Sequence, residues 1–154
     1  MPLTKTTMMN SSCRAEGILI QRTMKSLQHI LLIDDDEIFI FLTKKMLQST
    51  GMVESISICQ SAYEAIEFLH ASEDEWPELI LLDLNMPEMS GWDFLQYYQS
   101  LIRNKETHSK LFIISSSIAD NDKERAKKIK GVDGYLAKPL TTEALKKLLN
   151  RSNP

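Results

Sequence analysis

Leu79-Ile80-Leu81-Leu82-Asp83-Leu84-Asn85-Met86-Pro87-Glu88-Met89-Ser90-Gly91 is the stretch on which the fold turns. Its apolar residues run on without polar alternation, as in a β-strand buried on both faces, and such strands belong to parallel sheets covered by helices. The run stops at a carboxylate and passes into Asn, Pro and Gly, the residues of a turn. The same grammar recurs on either side. Ile30 to Ile33 is apolar and runs into Asp34-Asp35-Asp36-Glu37; Leu111 to Ile114 runs into Ser115-Ser116-Ser117; Gly134 to Ala137 runs into Lys138-Pro139. Ser55-Ile56-Ser57-Ile58 alternates strictly instead and ends in the chemically quiet Cys59-Gln60, the pattern of a strand with one less buried face.

Amphipathic stretches fill the gaps. Ile38 to Gln48 reads as a helix presenting Ile38, Phe41, Leu42 and Met46 at helical spacing, closed by Gly51. Ser61 and Glu64 form a capping box for a helix over Ala62 to His70. Further helices fall around Trp92 to Arg103, around Asp122 to Lys130, and over Thr141 to Asn150, the last with Leu145, Leu148 and Leu149 on one face. Strands alternating with helices imply an α/β domain: a five-stranded parallel sheet with right-handed crossovers and helices on both faces. The flavodoxin-like order 2-1-3-4-5 makes the four chemically equipped strands neighbours and sends the quiet one to an edge. Ligands of such sheets bind outside the carboxyl ends of the strands.

At 154 residues, 43% hydrophobic and 25% charged, the chain has the size and composition of one soluble domain that folds without disulfides or structural metal. Its 18 basic and 21 acidic residues give a net charge of -3, which argues against direct nucleic-acid binding. Two cysteines, Cys13 and Cys59, form neither a disulfide framework nor a zinc pattern, and a reducing cytoplasm is expected. No apolar run is long enough to span a membrane. Residues 1–28 hold Lys5, Arg14, Arg22 and Lys25 against Glu16 alone and are rich in Thr, Ser and Met, which reads as a disordered extension ahead of a domain over 29–150 and a tail over 151–154. Ile18-Leu19-Ile20 is too short for a signal-peptide core, and Met24 offers an alternative translation start.

Asp34 and Asp35 alone would read as solvated helix caps. Asp83 changes the balance, because three carboxylates converging within about 4 Å repel by several kcal/mol per close pair at an effective dielectric near 20. A hard divalent cation with oxygen ligands answers that need: Mg²⁺, with Mn²⁺ admissible.

Leu82 to Gly91 closely resembles the phosphoacceptor signature of response-regulator receiver domains, and Leu31-Leu32-Ile33-Asp34-Asp35-Asp36 matches the acidic end of that family's first strand. The resemblance covers His29 to about Asn150. It implies that Asp83 is the phosphoacceptor, that Asp35 and Asp83 bind Mg²⁺ directly beside the backbone carbonyl of Asn85, and that Asp34 acts through water. It makes Lys138 the conserved-type lysine, Ser116 the hydroxyl switch residue and Tyr135 the aromatic rotamer position, with Lys138-Pro139 cis. The implied partners are a sensor histidine kinase or histidine phosphotransfer protein as donor and a downstream protein as target, with no nucleic acid and no membrane. A carboxylate nucleophile gives a labile acyl phosphate, suited to a reversible signal.

The expectation is therefore a stand-alone receiver, not a turnover enzyme, signalling through noncovalent contacts. An aspartate-nucleophile phosphohydrolase would want a second acid where Asn85 stands, and a pseudo-receiver scaffold would not need Asp34, Asp35, Asp83, Ser116 and Lys138 together. His29, His70 and His108 read as surface or packing residues, and Trp92, Phe94, Tyr97 and Tyr98 as core and helix-surface residues. Lys123 to Lys130 is a solvated or partner-binding helix face, Ile118 a bulky neighbour that would slow loss of the phosphoryl group, and Asn104 to Lys110 a polar surface loop.

Overall fold

Each apolar run forms a strand: β1 Leu27–Ile33, β2 Val53–Cys59, β3 Leu79–Asp83, β4 Lys110–Ser115 and β5 Gly134–Ala137. Helices α1 Glu37–Ser49, α2 Ala62–Ala71, α3 Gly91–Arg103, α4 Asp120–Lys127 and α5 Thr142–Ser152 alternate with them. The computed structural model describes residues 26–73, 75–117 and 119–152. Most of the expected extension, the Met24 start and Ile118 lie outside the described residues. The strands pair in parallel in the order β2-β1-β3-β4-β5. The first strand begins at Leu27, two residues ahead of the boundary read from the charge change, and Leu27 is itself buried. The last helix runs to Ser152, into the expected tail.

The continuous apolar strands supply both faces of the sheet, because successive side chains point to opposite sides. Leu31, Ile33, Ile80, Leu82 and Ile113 pack with Ala65, Leu69, Phe94, Leu95 and Tyr98 of α2 and α3. Leu32, Leu79, Leu81 and Ile114 pack on the other side with Ile40 and Leu47 of α1 and Leu145, Leu148 and Leu149 of α5. Each leucine, isoleucine or phenylalanine among them contributes about 1.5–3 kcal/mol on burial. Every residue of β3 is buried, whereas β2, at the sheet edge, is buried only at Cys59.

Helix α1 departs from the periodicity reading. Ile38, Phe41 and Leu42 are 73%, 59% and 52% exposed, and the face toward the sheet is Ile40, Thr43 and Leu47. Ile38-Phe39-Ile40-Phe41-Leu42 is apolar throughout, so two stripes satisfy helical spacing and only the helix entry chooses between them. That entry is set by Asp36, whose Oδ1 accepts from Ile38 N and Phe39 N at 2.9 and 3.0 Å. Helix α4 ends at Lys127, short of the expected Lys130; only Ala126 is buried on it, so tertiary packing does little to extend it. At α2, Ser61 Oγ accepts from Glu64 N, but the Glu64 carboxylate reaches Gln60 N in place of Ser61 N. The reciprocal capping box stands at α3, between Ser90 and Asp93.

Gly91 opens α3 where the chain folds back on the end of β3, and its N–H donates to the Leu84 carbonyl at 2.9 Å. A Cβ there would lie 2.4 Å from the Asp83 carbonyl oxygen and 2.7 Å from Leu84 Cα, both backbone atoms. Gly91→Ala is therefore expected to destabilise the fold by about 3 kcal/mol, measured by urea unfolding; an unchanged midpoint would contradict this packing.

Candidate functional site

The carboxyl ends of β1, β3, β4 and β5 converge on one pocket. Asp83 is the last residue of β3, and Asp34 follows directly on β1; both are buried, while Asp35 is exposed. One oxygen from each of Asp34, Asp35 and Asp83 lies within 4.8 Å of the others. Lys138, past the end of β5, brings its Nζ to 2.6 Å from Asp34 Oδ2 and 3.3 Å from Asp83 Oδ1. The β4 backbone places it, because Lys138 N donates to the Ser115 carbonyl at 2.9 Å. The Lys138-Pro139 peptide is cis, as the resemblance implies.

Charge does not balance here: three carboxylates face one ammonium. At an effective dielectric near 20, two carboxylates within 4.8 Å of each other repel by at least about 3 kcal/mol. Burial, then the Asp34 charge, push the Asp83 carboxyl up to about 6 against the pull of Lys138, with a further push from Asp35. The three acids present only hard oxygen donors, and two of them are buried. That set fits Mg²⁺ or a similar hard cation, which favours carboxylates and retains waters.

Asp34, Asp35, Asp83 and Lys138 thus lie together in one pocket. Asn85 is exposed, two residues past Asp83 in the loop to α3. Ser116 is exposed and stands one residue beyond the Ser115–Ala137 register pair, on the same rim as Lys138. The three serines divide their roles by position. Ser115 is buried and its Oγ accepts from Ser117 N at 3.1 Å; Ser117 Oγ donates to Asp122 Oδ2 at 2.7 Å. Tyr135 is half-buried, packs against the α2–α3 side of the core and donates its hydroxyl to the Ser117 carbonyl at 2.8 Å.

Two contributors escape the sequence reading. Asp36 N donates to Asp34 Oδ1 at 2.9 Å, so the residue that caps α1 also orients the buried acid. An acid just before an apolar helix is a cap signature, which would have found the first role and not the second. Phe39 places its ring 4.0 Å from Lys138 Nζ, a contact between distant segments with no local sequence signal.

The histidines and the aromatic residues of α3 occupy packing and surface positions. His29 Nε2 pairs with Ser57 Oγ at 2.8 Å, and burial lowers its pKa against the charge of Glu78. His70 Nε2 meets the Tyr97 hydroxyl at 2.7 Å, and His108 is exposed. Phe94 and Tyr98 are core residues, while Trp92 lies under the Arg125 guanidinium at 4.1 Å. No helix among the described residues is long and apolar enough to cross a membrane.

Because the Asp83 pKa is raised on folding, ionising it opposes the folded state, and this contribution to stability falls as pH rises from about 4 toward 6. In chelator at pH 7, Asp83→Asn is expected to stabilise the protein by about 1–2 kcal/mol after allowance for solvent screening. Thermal melts from pH 4 to 7 check both sign and window; a destabilised variant would refute the charge imbalance.

A family model described as response regulator receiver domain matches residues 30–150. The nitrate/nitrite response regulator protein NarL of Escherichia coli K12 is 34% identical over 123 residues, 80% of this chain and 53% of NarL. Hybrid signal transduction histidine kinase I of Dictyostelium discoideum is 26% identical over 136 residues, 87% of this chain and 8% of the kinase. The chain thus spans about half the length of NarL and a small part of the kinase. A two-component response regulator structure from Cytophaga hutchinsonii superposes with a TM-score of 0.78 at 33% identity, covering 83% of this chain and 98% of that one. A response regulator receiver protein from Dyadobacter fermentans gives 0.73 at 31% identity, covering 82% and 98%. Strand order, strand-end chemistry and a match over most of the chain agree, and the chain belongs to the receiver domains of two-component response regulators.

Proposed function

We propose that this receiver accepts a phosphoryl group on Asp83 from a phosphohistidine-bearing protein, a sensor histidine kinase or a histidine phosphotransfer protein, and signals through altered protein contacts. The observation that carries this reading is a buried strand-end carboxylate with an ammonium 3.3 Å away and two further acids close by. An Asp83 Oδ atom forms the new bond to phosphorus as the bond from phosphorus to the donor imidazole nitrogen breaks. Without a cation, Asp83 is more basic than an ordinary aspartate and still ionised at neutral pH.

Asp35, Asp83 and the Asn85 carbonyl would hold Mg²⁺ directly, with Asp34 acting through water. Bound there, the cation would neutralise the acids and the charge of an incoming phosphoryl group. Lys138 supplies a point cation to one phosphoryl oxygen, and the exposed Ser116 hydroxyl donates to another. Because these contacts form only with the modified aspartate, they can shift a conformational equilibrium, with Tyr135 following the Ser116 loop.

The donor must bring its phosphorus to Asp83, and Ile38, Phe41 and Leu42 form an exposed apolar rim within the first two turns of the helix that starts beside Asp34 and Asp35. Such a rim suits a partner with an apolar helical face.

Incubation with acetyl phosphate and Mg²⁺ is expected to label the protein once, in base-labile form, with labelling lost in Asp83→Ala. Continuous phosphate release would indicate a phosphohydrolase, and no labelling a scaffold. In the same assay Ser116→Ala should still label while the phosphorylation-dependent change in partner affinity disappears.

Phe41→Asp is expected to slow phosphotransfer from the cognate phosphohistidine donor at least tenfold, the scale of losing about 1.4 kcal/mol of contact, and to leave acetyl phosphate labelling unchanged. Equal slowing with both donors would exclude α1 as the docking rim.

A further inference from the structure

The aromatic ring that lies against Lys138 has no place in the family signature. Lys138 Nζ lies 4.0 Å from the Phe39 ring centroid. The same ammonium is 2.6 Å from Asp34 Oδ2 and 3.3 Å from Asp83 Oδ1, and the lysine side chain is only 16% exposed. Phe39 is partly buried against the α1–α5 side of the core, which anchors the body of the ring.

These contacts close a circuit. Asp34 Oδ2 accepts from Lys138 Nζ, and Asp34 Oδ1 accepts from Asp36 N at 2.9 Å. Asp36 Oδ1 accepts from Phe39 N at 3.0 Å, and the Phe39 ring returns to Lys138 Nζ. A lysine has a long, flexible stem, and an ammonium confined by two carboxylates alone retains freedom on its third side. The ring occupies that side.

We propose that Phe39 is a positioning residue for Lys138: its ring holds the ammonium at the rim of the site without engaging it in a directed bond. This rests on the phosphoacceptor reading of Asp83. The choice of group matters. A carboxylate in this place would compete with phosphoryl oxygens for the ammonium and add to an already excessive negative charge. An aliphatic side chain would exclude water but offer no attraction. The negative face of an aromatic ring attracts the cation and lets its N–H groups turn from Asp34 and Asp83 toward a phosphoryl oxygen. The contact therefore survives the change of partner that phosphorylation demands.

Two measurements test this. In the unphosphorylated protein, the Lys138 methylene protons should show an upfield ring-current shift by NMR that is retained in Phe39→Tyr and lost in Phe39→Leu. At saturating Mg²⁺, Phe39→Leu should slow labelling by acetyl phosphate roughly threefold to tenfold, Phe39→Tyr should restore the rate, and in a Lys138→Ala background Phe39→Leu should have no further effect. Absence of the ring-current shift, or an equal loss of rate with and without Lys138, would overturn the proposal, the latter by showing a general packing role. A normal shift together with no labelling of the unsubstituted protein would defeat the phosphoacceptor reading and with it the function assigned to the ring, while the stacking itself stood.

Discussion

The excess of carboxylates around one ammonium is the constraint on which the site depends. Asp34 and Asp83 are buried at the ends of adjacent strands, and their separation is set by a sheet register that neither can relax alone. Lys138 offsets part of their repulsion, yet Asp83 still has its pKa raised to about 6. Such a pocket is held together by the rest of the fold against its own electrostatics, the usual condition of a site poised for a charged ligand.

The holding force lies in two apolar layers, one on each side of the sheet. Strand β3 contributes to both, since Ile80 and Leu82 face α2 and α3 while Leu79 and Leu81 face α1 and α5. It also carries Asp83, so this carboxylate sits on the most thoroughly buried strand of the domain. The return of the chain over that strand is equally confined, with Gly91 pressed against the backbone of Asp83 and Leu84. Loops at the pocket can therefore change while the acid itself stays fixed.

The strands and the acidic cluster were legible because their signals are local. An apolar run ending in a polar residue marks a strand end, and parallel topology gathers those ends on one edge of the sheet. Orientation was less legible where local signals were degenerate. Five consecutive apolar residues at the start of α1 permit two faces, and the Asp36 cap and the core together leave Ile38, Phe41 and Leu42 outside. Ser115, Ser116 and Ser117 are chemically identical in the sequence and are distinguished only by pairing, which buries the first and ties the third to Asp122. The Phe39–Lys138 contact joins α1 to the end of β5 and has no short-range correlate at all.

The loop after β4 ties the rim of the pocket to β5 and α4 through Ser117. Ser117 is secured on several sides: its N–H by Ser115 Oγ, its carbonyl by the Tyr135 hydroxyl, its own hydroxyl by Asp122 at the start of α4. Ser116, beside it, is exposed and adjoins the rim that bears Lys138. A phosphoryl oxygen recruiting the Ser116 hydroxyl would pull on a backbone whose next residue anchors both β5 and α4. Helix α4 buries only Ala126, so it is the helix least restrained by the core, and its Arg125 lies over Trp92 of α3. Displacement of one serine would thus be resisted by three hydrogen bonds and transmitted to a weakly held helix, the kind of low-stability element through which a small shift becomes a changed surface.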